Sequence, residues 1–152
     1  MGQPLKGDKA PGFSLPATSG EFRLEEALSK GRVVLAFYTE DDTPGCNQEL
    51  TAFKAEYDTL EGLGAQVVGI SADGLESHRE SEQRLKGLPF PLASDSGLEV
   101  TRLYGVLDDS GKRCNRAVFV IDTDGTIVHS IPWYQPGNVS QFLEVFEALG
   151  LE

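Results

Sequence analysis

The sequence predicts an α/β fold in which helices flank a mixed central sheet. Short apolar runs of strand length, such as VVLAFY at 33–38 and VVGIS at 67–71, alternate with longer segments of helical character. Continuous apolar runs are typical of central strands that are covered on both faces. The chain has 152 residues, a length usual for one domain, and shows no linker or repeat. We therefore expect residues 1–152 to form a single domain.

The first half of the chain predicts a hairpin, a short helix, a buried strand and a long helix. Residues 13–15 and 22–24 flank a turn-rich stretch and predict the hairpin. A short helix follows at 24–28, and the apolar run 33–38 is the first buried strand. Residues 43–60 predict the long helix, because apolar side chains recur on one face at Leu50, Phe53, Tyr57 and Leu60.

The second half continues the alternation. A strand at 67–71 precedes a polar helix at 75–85, which Asp73 would open and Gly87 would close. A short strand at 92–93 and a short helix at 97–104 follow. Strands at 117–121 and 126–131 are joined by an Asp-Thr-Asp-Gly turn. Asn138 or Ser140 would cap a last helix. Two β-α-β crossovers, then a hairpin and a closing helix, are the thioredoxin-like arrangement.

Composition excludes several functional classes. Thirteen basic and 24 acidic residues give a net charge of −11, which argues against nucleic acids and anionic membranes as partners. No apolar run is long enough for a membrane span, and the first residues lack the layout of a secretion signal, so a cytoplasmic protein is expected. Two cysteines are too few for a disulfide scaffold or a four-cysteine zinc site. We expect no metal, no organic cofactor and a monomer.

The most informative stretch is FYTEDDTPGCNQEL at 37–50, where a buried strand runs through a polar turn into a helix. It places Cys46 in the first helical turn, where unpaired N–H groups and the helix dipole favour a thiolate. Such positions lower a cysteine pKa from ~8.5 to ~3.5–7.5. The Thr43 hydroxyl can reach the sulfur or an oxygen beside it. Pro44 and Gly45 let the backbone approach closely.

FYTEDDTPGC resembles the reactive-cysteine motif of peroxiredoxins, most closely that of the bacterioferritin-comigratory-protein (PrxQ) subgroup. VVGISADGLESHRE, LPFPLASD and RAVFVIDTDGTIVHS follow in the family's order. The resemblance implies a thiol peroxidase whose Cys46 attacks a hydroperoxide and becomes a sulfenic acid, with thioredoxin or another thiol as reductant. It also implies that Arg116 and Thr43 stabilise the reaction and that Glu49 holds Arg116 in place.

The chain departs from the family at several positions. Thr39 stands where the family usually has proline, Gly12 where it often has aspartate, and Thr51 where many members of the subgroup have a resolving cysteine. Cys114 is a candidate resolving cysteine if the following strand extends back to it, because it would then share a face with Arg116. The alternative is a one-cysteine cycle in which an external thiol reduces Cys46.

Two other functions stay open at this point. VFVIDTDGT resembles the motif of haloacid-dehalogenase-type phosphohydrolases, in which Asp122 would be the nucleophile, Asp124 the general acid and magnesium the cofactor. A non-catalytic thioredoxin-fold binding module is the third hypothesis and requires an unreactive Cys46.

Four further residues and one acidic run are interpreted without a catalytic role. His78 lies on a polar helix and is expected in solvent, as is His129 on a strand. Trp133 and Tyr134 are expected to serve packing. The acidic run 40–42 is interpreted as solvated turn charge, although close approach would oppose a thiolate.

Overall fold

A computed structural model describes residues 4–150, which form seven strands and six helices. The strands are β1 (Ser14–Ala17), β2 (Gly20–Arg23), β3 (Arg32–Phe37), β4 (Ala65–Ser71), β5 (Leu92–Ser94), β6 (Ala117–Ile121) and β7 (Ile127–Ile131). The helices are α1 (Leu24–Leu28), α2 (Pro44–Ala55), α3 (Tyr57–Gly62), α4 (Leu75–Arg84), α5 (Glu99–Leu103) and α6 (Val139–Ala148). The first three and last two residues of the predicted domain lie outside the described residues.

The strands form one mixed sheet in the order β2-β1-β5-β4-β3-β6-β7. β3 lies between β4, to which it is parallel, and β6, to which it is antiparallel. This confirms the predicted mixed sheet with β3 as a central strand. The carboxyl end of β3 therefore lies at the centre of the sheet, and the loop that follows it leads into α2.

Two apolar cores cover the two faces of the sheet, because successive side chains of a strand point to opposite sides. Val33, Leu35 and Phe37 pack with helices α1 and α5, and we name this cluster the α1/α5 core. Val34 and Ala36, with Tyr38, which directly follows β3, pack with helices α2, α3 and α6, and we name this cluster the α2/α6 core. All six side chains are fully buried, as expected for a strand covered on both faces.

The predicted helix 43–60 is wrong in one respect, because the structure divides it into α2 and α3 at Glu56. That residue has φ −105° and ψ 15°, outside helical geometry. Leu50, Phe53 and Leu60 nevertheless all lie in the α2/α6 core. Apolar spacing survives the interruption, so the pattern alone does not reveal it.

Helix starts agree partly with expectation. Asn138 caps α6 by accepting a hydrogen bond from the Gln141 N–H at 3.0 Å, which selects it over Ser140. Asp73 does not cap α4, since Gly74 occupies that position. The Asp73 carboxylate instead accepts from the Ser71 hydroxyl at 2.7 Å. Within the described residues, no helix has both the length and the hydropathy that a membrane crossing requires.

Candidate active site

Cys46 lies where sequence reasoning places it, in the first turn of α2. Thr43 is the N-cap in an extended conformation and Pro44 begins the helix. The Thr43 carbonyl accepts from the Asn47 N–H at 2.8 Å, so Cys46 is within the turn whose own N–H groups have no helical partner. The thiol is free, and its residue is fully buried in the α2/α6 core.

Two side chains contact the Cys46 sulfur directly. The Thr39 hydroxyl lies 3.1 Å from Sγ, and Nη1 of Arg116 lies 4.0 Å from it. Burial alone would raise the pKa of Cys46, but hydrogen bonds from Thr39, Thr43 and the backbone of Glu40 outweigh it. The net pKa of the thiol is therefore lower than usual, which favours the nucleophilic thiolate.

Thr39 is the residue that sequence reasoning did not assign to the site. The sequence indicates only that it replaces the family's proline, yet its hydroxyl makes the shortest polar contact to the sulfur. The available signal was its position directly after the buried run 33–38, in the loop that leads to Cys46. The Thr43 hydroxyl donates to the Glu40 carbonyl at 3.0 Å and so also braces this loop.

Arg116 reaches the sulfur because Gly45 has no side chain. A Cβ atom built on Gly45 would lie 2.9 Å from Nη1 of Arg116, closer than van der Waals contact allows. The arginine itself directly precedes β6, and its carbonyl accepts from the Tyr134 N–H at 2.9 Å. A permanent cation with several donors thus stands beside the thiol, as the sequence predicts.

Glu49 comes to the site but makes no ion pair with Arg116. The side chain is fully buried one turn after Cys46, and neither carboxyl oxygen has a hydrogen-bond partner among the described residues. Burial and the neighbouring Cys46 raise the pKa of Glu49 well above its usual range, and Arg116 offsets part of this. No hydrogen bond joins Glu49 to Arg116 among the described residues, so the role of Glu49 in holding Arg116 stays a prediction.

The structure does not bring Cys114 to Cys46. β6 begins at Ala117, so the condition for placing Cys114 on that strand is not met. Cys114 is buried in the α1/α5 core, on the sheet face opposite to Cys46. The Thr101 hydroxyl, 3.0 Å from its sulfur, donates to Asp95 at 2.6 Å, which leaves the S–H as donor. Burial raises the pKa of Cys114 to about 12.

The expectation that His78 is solvated is wrong, and so is the interpretation of Asp41 as solvated turn charge. His78 is fully buried, with Nδ1 2.7 Å from Oδ2 of Asp41 and Nε2 2.9 Å from the Ala93 carbonyl. Asp41 is buried as well. A polar helix can turn one histidine inward when a buried carboxylate and a strand carbonyl satisfy both ring nitrogens.

His129, Trp133 and Tyr134 are the remaining residues to which the sequence assigns no catalytic role. His129 is half-buried and lies 2.9 Å from Glu144, so it does not simply face solvent. Trp133 is 65% exposed, contrary to the packing role expected for it, whereas Tyr134 is buried in the α2/α6 core as expected.

Asp122 and Asp124 form the β6–β7 turn rather than a catalytic pair. The Gly125 N–H donates to the Asp122 carbonyl at 2.8 Å, which closes the turn. The Asp122 side chain accepts from the Thr123 N–H at 2.8 Å, and that of Asp124 accepts from the Thr126 N–H at 2.9 Å. Both carboxylates are thus used for turn geometry, and the phosphohydrolase alternative is not supported.

Comparison with known proteins agrees with this site. Residues 6–130 match the AhpC/TSA family. A protein of Coxiella burnetii, described as a putative peroxiredoxin bcp, is 39% identical over 127 residues, which are 80% of this chain and 83% of the relative. Chloroplastic peroxiredoxin Q of Oryza sativa subsp. japonica is 34% identical over 152 residues, covering 97% of this chain and 69% of the relative.

A solved structure gives the same result for the fold. Peroxidoxin BcpB from Mycobacterium tuberculosis superposes with a TM-score of 0.86 at 31% identity, over 95% of this chain and 96% of the other. This likeness confirms the predicted thioredoxin-like architecture. The relatives described as peroxiredoxins leave the binding-module alternative without support. The chain belongs to the AhpC/TSA family, as a peroxiredoxin of the bacterioferritin-comigratory-protein and peroxiredoxin Q type, and is a thiol-dependent peroxidase.

Proposed function

We propose that Cys46 is the nucleophile of this peroxidase. The observation that carries the proposal is the sulfur's position in the first turn of α2, within 3.1 Å of the Thr39 hydroxyl and 4.0 Å of Nη1 of Arg116. The thiolate attacks the terminal oxygen of a hydroperoxide, an S–O bond forms and the O–O bond breaks. Cysteine is oxidised to sulfenic acid, and the other oxygen leaves as water or an alcohol after taking up a proton.

Charge that develops on the leaving oxygen needs donors that are already in place. Arg116 supplies a guanidinium beside the sulfur, and Gly45 leaves room for it. The Cys46 N–H is free of a helical partner, since it belongs to the first turn. Thr43 supplies a hydroxyl at the same helix end, where it now donates to the Glu40 carbonyl. We assign the stabilising role to these three groups.

We propose a one-cysteine cycle in which thioredoxin or another external thiol reduces the sulfenic acid. Three features support this: Thr51 stands at the position of the subgroup's resolving cysteine, Cys114 lies in the opposite core, and its pKa is raised to about 12. A neutral thiol is a weak nucleophile, so resolution by Cys114 would need both deprotonation and a rearranged sheet face.

We further propose that the chain acts as one domain, as a monomer and in the cytoplasm. One continuous sheet runs through all seven strands, which supports a single folding unit. Both cysteines are free thiols, as is usual in a reducing compartment. Analytical ultracentrifugation of the reduced protein tests the monomer: a single species near 16.5 kDa is expected.

The decisive experiment treats wild type, Cys46→Ser and Cys114→Ser with hydrogen peroxide and measures peroxide loss and intact mass under non-reducing conditions. Cys46→Ser is expected to lose peroxide consumption. Cys114→Ser is expected to keep both the first oxidation and turnover with an external thiol. An internal disulfide in wild type, with turnover lost in Cys114→Ser, would contradict the one-cysteine cycle.

A further inference from the structure

His78 is a buried histidine whose hydrogen-bond partners define its protonation. The Ala93 carbonyl, 2.9 Å from Nε2, can only accept, so Nε2 carries a hydrogen. Nδ1 lies 2.7 Å from Oδ2 of Asp41, and one proton must lie between these two atoms. The state of the pair therefore depends on whether Asp41 is ionised.

Three donors converge on the Asp41 carboxylate. The Tyr38 hydroxyl donates to Oδ1 at 2.6 Å, and the Ser77 hydroxyl and His78 Nδ1 approach Oδ2 at 2.8 and 2.7 Å. Several hydrogen bonds to the charged form favour ionisation of a carboxyl group. Burial raises the pKa of Asp41, but the bonds from His78 and Tyr38 outweigh it and the net pKa is lowered.

The result is a hydrogen-bonded pair shielded from water. The two side chains are 0% and 3% exposed. Asp73, which accepts from the Asp41 N–H at 2.8 Å, is the other charged group that faces the pair. The ligand atoms of Asp41, Asp73 and His78 lie within 4.8 Å of one another, but hydrogen bonds already occupy them, so their geometry indicates a network rather than a metal site.

Asp41 lies in the loop that contacts the reactive sulfur. Two residues before it, Thr39 touches Sγ of Cys46, and one residue before it, the Glu40 carbonyl accepts from Thr43. The next residue, Asp42, has φ 60°, a left-handed conformation that non-glycine residues rarely adopt. Such a conformation persists when surrounding contacts hold it. Asp41 supplies those contacts through both its side chain and its N–H.

We propose that the buried, hydrogen-bonded Asp41–His78 pair fixes loop 39–43 in the conformation that hydrogen-bonds the Cys46 sulfur. Asp41 and His78 are then positioning residues for a thiol that neither of them touches. The inference deepens the proposed function, since it rests on Cys46 as the reacting group. It also gives the acidic loop and the buried histidine a shared role.

The test measures the pKa of Cys46 without using peroxide. In a Cys114→Ser background Cys46 is the only thiol, and the pH dependence of its alkylation by iodoacetamide reports its ionisation. Asp41→Asn and His78→Gln are each expected to raise the pKa of Cys46 by about one unit, which is about a tenfold loss of thiolate at lower pH. The double variant is expected to be no worse than either single variant, because both remove the same interaction.

His129→Gln is the matched control. It changes the only other histidine, which is paired with Glu144 and half-buried, and it is expected to leave the alkylation profile unchanged. Thermal melts accompany each variant, because a merely structural role would lower the melting temperature without moving the pKa of Cys46. If the single variants do not fold, Ser77→Ala removes one donor to Asp41, and a smaller rise in the pKa of Cys46 is expected.

A second readout concerns wild type alone. Long-range ¹H–¹⁵N spectra, assigned with His129→Gln, are expected to show a hydrogen on Nε2 of His78, because the Ala93 carbonyl can only accept. A His78 Nε2 that carries no hydrogen, or an unchanged Cys46 profile in folded Asp41→Asn or in Ser77→Ala, would overturn the proposal. A different result would contradict the proposed function itself: Cys46→Ser would consume peroxide as fast as wild type, whatever the alkylation data show.

Discussion

Gly45→Ala should slow the reaction with peroxide without lowering the stability of the fold. A Cβ atom at this position would lie 2.9 Å from Nη1 of Arg116 and 3.6 Å from its Cζ. The helical backbone there accepts alanine, which gains up to about 1 kcal/mol over glycine within a helix. The clash is therefore relieved by moving the guanidinium rather than by unfolding α2.

The expected loss follows from the distance between the guanidinium and the sulfur, which is now 4.0 Å. Retreat by about 1 Å weakens the attraction between the two charges by about 0.8 kcal/mol at an effective dielectric constant of ~20. That corresponds to about a fourfold slower reaction. Complete loss of a donor to the transition state costs about 10²–10³-fold, which sets the upper limit.

The assay is the second-order rate constant for hydrogen peroxide, measured by competition with a reference peroxidase, together with a thermal melt. We expect a rate at least about fourfold below wild type and a melting temperature that is unchanged or higher. Gly62→Ala is the matched control, since a Cβ atom there meets nothing within 4 Å. A wild-type rate in Gly45→Ala would refute the reasoning that Arg116 must approach the sulfur.

Three further changes test other parts of the site. Thr39→Val should raise the pKa of Cys46 in alkylation profiles, because the hydroxyl 3.1 Å from Sγ is lost. Thr39→Ser keeps a hydroxyl and should show the wild-type pKa. Equal profiles for the two variants would count against the contact. Glu49→Gln should be more stable than wild type, by a margin that grows above pH 4.5. Burial raises the pKa of Glu49, so folded wild type keeps a proton that its unfolded chain releases, and wild type loses stability as the pH rises. Urea titrations should show the gap to wild type widening by up to about 1.4 kcal/mol per pH unit just above that value, and a constant gap would exclude a neutral Glu49. The pKa of Asp41 is lowered in the folded state, so the ionised carboxylate stabilises the fold above pH 3.8, and this contribution is lost as the pH falls through the folded-state pKa. The difference in unfolding free energy between wild type and Asp41→Asn should therefore shrink in urea titrations below pH 3.8.

The parts that sequence predicts well are those encoded by neighbouring residues. The buried run of β3, the Thr-Pro-Gly turn and the apolar face of α2 are all local signals, and together they place Cys46 correctly. The resemblance of RAVFVID to the family motif predicts Arg116 at the site, and the structure places its Nη1 4.0 Å from the Cys46 sulfur. The β-α-β connections and the final hairpin predict a mixed sheet, whereas the order of its seven strands comes from the structure.

The parts that sequence misses depend on contacts between distant residues. Asp41 and His78 are 37 positions apart, and His78 is satisfied partly by the carbonyl of Ala93. Helical periodicity describes α4 as polar and so predicts exposure, because it contains no information about a buried carboxylate opposite. Cys114 shows the same limit on a smaller scale. Because β6 starts three residues after Cys114, the Cys114 sulfur lies in the α1/α5 core, on the side of the sheet away from Cys46.

The separation of the two thiols by the sheet affects the order of the kinetics. A sulfenic acid that meets a thiol of the same chain becomes a disulfide in a first-order step whose rate does not depend on the concentration of an external reductant. In the one-cysteine cycle that we propose, the oxidised sulfur reacts with a thiol from outside the chain, so its lifetime is inversely proportional to the concentration of that reductant. Cells poor in reductant would accumulate the oxidised form, and its abundance would report their supply of thiols.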